Sequence, residues 1–206
     1  MALRIGKYPL ATIGGALVVI VYCLFTLLSW AFYPDSYGPS THYLSRLGNF
    51  NYNPFGAYFY NWGCILTGIF ILPFFIGLYV WYSRKIIQGI FLFIGLILGC
   101  ASGFALMLIG YFSEDQGAPH MAASSLFFTI LFVTLVFLII ALLLNPSFNK
   151  IVGIYGLGIT FSSLYFALTV GGPVTEWYSV FGSLLFVALL SWNTMKSWEK
   201  LKSNCE

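Results

Sequence analysis

The sequence predicts an all-α polytopic membrane bundle of six transmembrane helices, and three observations carry that prediction. Of the 206 residues, 60% are hydrophobic and only 7% are charged, with a mean hydropathy of +0.90. A soluble domain carries about 25% charged residues, so this chain has too little charge to build an aqueous surface, and lipid must solvate most of it. Second, apolar runs of spanning length recur along the chain between short polar connections. Third, the basic residues fall on alternate connections, as they do in a chain that crosses the bilayer an even number of times.

The elements follow in order. Residues 1–7 form a short lead with Arg4 and Lys7, and residues 8–33 a first span. This run is too long for the apolar segment of a signal peptide, about 7–15 residues, and no small-residue cleavage site ends it. It is therefore expected to be retained. The connection 34–55 holds Pro34, Pro39 and Pro54 with Gly38 and Gly48, which forbid a regular helix through much of it. Ser40 and Thr41 are placed to start a short interfacial helix through Arg46, with tyrosines suited to the headgroup region.

The second span covers residues 56–82 and ends at Ser83, Arg84 and Lys85; the third covers 86–112. Gly95, Gly99 and Gly103 repeat at four-residue spacing, which predicts a smooth face for close helix approach and a central place in the bundle. The fourth span, 119–144, opens with Pro119, whose missing N–H costs nothing in a first turn. Asn145 and Pro146 end it. A fifth span covers 151–170, with Gly153, Gly156 and Gly158 in its first half. The turn Gly171, Gly172, Pro173 leads to a sixth span, 174–195, and an amphiphilic tail closes the chain. Spans of about 20–27 residues suit a hydrocarbon core of about 30 Å with ordinary tilt. Residues 1–206 read as one integral membrane domain.

Six spans put both termini on one side. That side carries Arg4, Lys7, Arg84, Lys85, Lys150, Lys196, Lys200 and Lys202, leaving only Arg46 opposite. The positive-inside rule then predicts cytoplasmic termini in a cell-membrane protein. The basic residues stand singly or in pairs beside apolar runs, which gives no nucleic-acid surface; the expected partner is membrane lipid. Cys23, Cys64, Cys100 and Cys205 show no metal-ligand spacing and no pair in an outer connection, so they read as small apolar packing residues without a disulfide.

The connection from Gly110 to His120 interrupts the apolar sequence most sharply. It holds Glu114, Asp115 and His120, while the first outer connection supplies Asp35, His42 and Arg46 and the third supplies Glu176. In a six-helix bundle these loops must meet at one face and form an extracytosolic polar pocket, which Asn61 could join from the second span. His120 sits in the first turn of a helix, an environment suited to a neutral imidazole that accepts a proton or binds a metal.

Two uses of the pocket compete. In the first, His42, Arg46, Glu114, Asn61 and Glu176 bind a lipid headgroup or another envelope component. In the second, the protein is a membrane-embedded lipid hydrolase or transferase. His120 and Asp115 would then do acid–base work, with Ser124 one turn further on, or a divalent metal such as zinc would be held by His42, His120 and Asp115. Small-solute transport fits less well, because no Asp, Glu, Lys or Arg lies at mid-depth of a span.

Two short motifs carry a family resemblance. Residues Leu44, Ser45, Arg46, Leu47 and Gly48, then Phe59 through Gly63 and Gly68, resemble the first outer loop and second span of domain-of-unknown-function family 998. Residues Gly110 through Asp115, with His120 and Ala123, resemble its G-x-F-x-x-D segment and following histidine. Arg46 stands where that family more often carries aspartate, which weakens a carboxylate role for the first loop. The resemblance implies a six-span membrane protein similar in layout to autophagy-modulator and GPI-lipid-remodelling proteins, and points to lipid-linked work without naming a reaction.

Overall fold

In the computed structural model, which describes residues 3–203, six helices run through almost the whole chain. They are α1 (Leu10–Ala31), α2 (Gly56–Gly77), α3 (Ile86–Tyr111), α4 (Ala118–Leu144), α5 (Lys150–Thr169) and α6 (Gly172–Ser203). All six are long and apolar enough to cross a membrane, α2 counting the 3-10 helix Leu78–Trp81 that extends it. Apolar composition and length together make this a multi-pass membrane protein.

A two-residue hairpin, Arg4–Ile5 against Tyr8–Pro9, precedes α1. It turns on Gly6, whose φ of 59° is a conformation glycine adopts without strain. The expected tail is no separate segment, since α6 continues through it to Ser203 and the Trp198 indole donates to the Lys7 carbonyl at 3.2 Å. Cys205 lies outside the described residues.

The helices form a closed ring in chain order. Each packs on its successor, and α6 returns to α1. The contacts among α1, α2, α3 and α4 are extensive, and those of α5 and α6 thinner. Small residues set the close approaches. A Cβ on Gly14 would fall 2.5 Å from the Phe74 nitrogen, and one on Gly77 would strike the Ala11 backbone. Gly68 and Gly103 abut reciprocally, each facing the other's carbonyl oxygen.

The α3 glycines correct the expectation of a single groove on a central helix. Gly95 faces Leu138 of α4, whereas Gly99 and Gly103 face Phe75, Gly68 and Ile71 of α2. Four-residue steps drift around a helix of 3.6 residues per turn, so the stripe passes from one neighbour to the next. The opposite face of α3, with Ile86, Ile90, Phe93, Ile97 and Phe104, is exposed to lipid. α3 is thus a member of the ring and does not occupy its centre.

At the end holding the termini, a polar lock joins the helices. The Trp81 carbonyl accepts from Gln88 Nε2 at 2.9 Å and Asn145 Nδ2 at 2.7 Å, while Trp81 Nε1 donates to Thr194 Oγ1 at 3.0 Å. In lipid, where no water competes, each of these buried groups needs its partner.

Candidate functional site

At the other end of the ring, the first connection is pinned before any site is built. It folds as a 3-10 helix over Leu44–Gly48, starting three residues beyond Thr41, with Leu44 and Leu47 fully buried. Asn53, also fully buried, donates to the Ser29 carbonyl, the Ser29 hydroxyl and the Leu47 carbonyl at 3.2, 3.1 and 2.9 Å. Asn61 of α2 donates to the Gly48 carbonyl at 3.0 Å, and its side chain leaves no room for a Cβ at Gly48. Tyr37 donates to the Tyr43 carbonyl at 2.9 Å. Burial pushes that phenol well above its ordinary pKa, which keeps the donor proton in place.

This fixed helix presents Arg46 and takes its cap from another loop. The Arg46 guanidinium lies 3.3 Å from a Glu114 carboxylate oxygen, and its carbon lies 4.4 Å from the centre of the Tyr52 ring. The second Glu114 oxygen accepts from Asn49. Glu176, near the start of α6, accepts the Leu44 N–H at 2.8 Å. A carboxylate at a helix N-terminus satisfies an otherwise orphaned donor and opposes the helix dipole favourably. The second connection, through Glu114, and the start of α6, through Glu176, thus both fasten to the first connection.

His120 is buried and held from two sides. Its Nδ1 lies 2.7 Å from the Phe112 carbonyl, and its Nε2 lies 3.3 Å from the Ser124 hydroxyl. A carbonyl only accepts, so Nδ1 carries a proton, and in the neutral ring Nε2 then presents the lone pair. Phe112 follows the last turn of α3, and Gly117, with a φ of 69°, lets the chain double back so that α4 begins beside it.

Arg46, Glu114, Glu176, His120 and Ser124 line the mouth of a cavity of about 900 Å³ in the middle of the ring. Cavities of small-molecule sites run from about 300 to 1,000 Å³. Below the polar mouth its walls are mostly apolar, reaching Phe74 and Phe75 of α2, Leu138 of α4 and Phe186 of α6. The hydroxyls of Thr67 and Ser163 line it with no hydrogen-bond partner among the described residues.

The cavity also has a side opening. α4 and α5 meet in their halves nearer the termini, where Gly153 faces Leu143, Gly156 faces Ile139, and Phe132 and Phe161 approach at 6.0 Å. Beyond that point Met121 and Ser125 of α4 and Leu164 and Ala167 of α5 line the cavity and are exposed. The neighbouring pairs are closed at this level, α6 touching α5 through Tyr178 and Phe166 and α1 through Trp177 and Trp30. The cavity wall is therefore exposed on the outside of the ring between α4 and α5.

The remaining expected site residues lie elsewhere. The Asp115 carboxylate accepts from the Phe50 N–H at 3.2 Å and makes no bond to His120, whose imidazole is engaged by Phe112 and Ser124. His42 stacks on Tyr37 at 5.3 Å, bonds Thr41 at 2.8 Å, and does not line the cavity. Asn61 pins the loop from behind. Among the described residues no group of three His, Cys, Asp or Glu side chains comes together to hold a metal ion, so His42, His120 and Asp115 form no ligand set. The thiols of Cys23, Cys64 and Cys100 are free.

A family model described as a protein of unknown function, DUF998, matches residues 13–198. The chain belongs to that family. No curated protein and no solved structure matches it. The DUF998 match spans the whole cavity wall from Val18 to Val187.

Several wall residues of this DUF998 protein escaped the sequence reading, among them Ser125, Ser179 and Ser183. Glu176, Ser179 and Ser183 recur at helical spacing on α6. In lipid a polar stripe at that spacing is a readable signal of an inward face.

Proposed function

We propose that this protein binds a membrane lipid, with the acyl portion in the central cavity and the headgroup at the mouth. The observation that carries this reading is the gap between the outer halves of α4 and α5. A cavity for a water-soluble ligand needs only a mouth toward water, whereas a mostly apolar chamber open sideways suits a molecule arriving from the bilayer. At the mouth, Arg46 offers donors to phosphate or glycan oxygens, and the Glu176 carboxylate accepts from hydroxyl or ammonium groups.

The charge asymmetry supports cytoplasmic termini in a cell membrane, with the mouth on the extracytosolic side. The lipid would then be taken from the extracytosolic leaflet, beside α4 and α5.

Photochemical capture tests the reading. Purified protein in lipid nanodiscs is irradiated with a phospholipid carrying a diazirine near its chain end, and labelled peptides are identified by mass spectrometry. Labels on the inward residues of α4 and α6, outcompeted by unlabelled phospholipid, are expected. Labels confined to exposed residues such as Ile97 and Phe104 would refute lipid binding in the cavity.

A further inference from the structure

We propose that Ser124 and His120 form a nucleophile–base pair that transfers the acyl group of an ester-linked lipid. The proposal rests on the lipid-binding reading of the cavity and assigns it a chemistry. Three relationships carry it, and none involves the expected partner Asp115.

The first is orientation. A nucleophilic serine needs a base within hydrogen-bond reach, and the base needs a third group to fix its tautomer. Here the Phe112 carbonyl, 2.7 Å from Nδ1, takes the orienting place usually filled by a carboxylate, and leaves Nε2 as the acceptor 3.3 Å from the Ser124 hydroxyl.

The second is the behaviour of the hydroxyl. Serines and threonines in helices commonly bond back to the carbonyl four residues earlier. Thr160, Ser162, Ser191 and Thr194 do so here at 2.6–2.8 Å. Ser124 instead turns to the side chain of the residue four positions earlier, and that side chain is the buried imidazole.

The third is position. Both residues line the cavity wall at the mouth, between the charged rim and the apolar interior, on the helix that borders the side opening. A lipid with its chain inside and its headgroup at Arg46 carries its ester linkage at this boundary.

The chemistry balances without any further group. Ser124 Oγ adds to the ester carbonyl carbon as its proton passes to His120 Nε2. The carbon–oxygen bond to the headgroup alcohol then breaks, and the alcohol leaves with that proton. Water, or the hydroxyl of a second lipid, attacks the acyl-serine with His120 as base and releases a fatty acid or a new ester.

An alkyl fluorophosphonate tests the pair directly. In the wild-type protein, the probe's phosphorus is expected to bond to Ser124 Oγ with loss of fluoride, located by peptide mass spectrometry. Ser124→Ala should abolish that label, and His120→Gln should slow it roughly 100-fold, the low end for loss of a general base. Thermal unfolding of each variant in detergent reports whether it is folded. Phosphatidylcholine vesicles provide the second readout, with fatty acid released by the wild type and lost in both variants. Diazirine-lipid capture by the wild type is read in parallel. Capture without Ser124 labelling would overturn the pair and leave lipid binding standing; absence of capture would sink the lipid reading itself. Equal labelling of the wild type and a folded His120→Gln would remove His120 from the reaction.

Discussion

The guanidinium of Arg46 sits 3.3 Å from Glu114 while its carbon lies 4.4 Å from the centre of the Tyr52 ring, so one side chain ties the first loop to the second and stacks within its own. Both ends of the ion pair are less than a third exposed. Arg46→Gln should therefore destabilise the protein by about 1–2 kcal/mol, more than a solvent-exposed pair. A double-mutant cycle with Glu114→Gln, followed by thermal unfolding in detergent, should give a coupling of at least about 0.5 kcal/mol. Strict additivity would show that the two residues act independently.

The two N–H groups of the buried Asn53 amide are shared among three acceptors, the Ser29 carbonyl and hydroxyl and the Leu47 carbonyl. Asn53→Ala takes the amide donor from the Ser29 carbonyl and leaves the Leu47 carbonyl with the Ser29 hydroxyl alone, and should cost about 1–3 kcal/mol. Because α1 and the 3-10 helix share this amide, protease cleavage between residues 34 and 55 should accelerate in the variant. Unchanged cleavage would mean the loop is held by Leu44 and Leu47 alone.

Two glycines make a matched comparison. A Cβ on Gly103 would fall 2.8 Å from the Gly68 carbonyl, whereas one on Gly158 meets nothing within 4 Å. Gly103→Ala should destabilise by about 1–3 kcal/mol through overpacking. Gly158→Ala should stabilise by about 0.5–1 kcal/mol, the helix-propensity gain. Melting temperatures measured side by side decide it, and a shift of the same sign in both would contradict the packing.

Closing the side opening should cut lipid capture. Ala167→Trp places a large ring on α5 facing the gap, outside the charged mouth. The rate of lipid capture should fall about tenfold, equivalent to about 1.4 kcal/mol in the barrier to entry. An unchanged rate would mean that lipid enters through the mouth.

Orientation is tested by thiol labelling in a cysteine-free background. Asp115→Cys should react with a membrane-impermeant maleimide on intact cells, and Ser147→Cys only after permeabilisation. The reverse pattern would put the cavity mouth in the cytoplasm.

Part of the site was legible because it depends on chain order alone. Six apolar runs force alternate loops to one end, so Arg46, Glu114 and Glu176 had to approach one another. Which acid serves which partner was not legible. Glu114 and Asp115 are adjacent, and only the 3-10 turn between α3 and α4 aims one at Arg46 and the other at the Phe50 N–H. His120 lost its expected partner for the same reason, because the turn at Gly117 sets the imidazole against a backbone carbonyl that no residue pattern advertises.

By itself, the sequence determined the number of membrane-crossing helices, their approximate limits and the gathering of charge at the loop end. Those follow from hydrophobicity and connectivity, which are local or additive along the chain. Tertiary structure alone decided that the six helices close into a ring rather than pack around α3. It also decided that the ring encloses a chamber and that α4 and α5 part in their outer halves. These depend on where small side chains let backbones approach, and a four-residue glycine spacing has no fixed neighbour until every helix is in place.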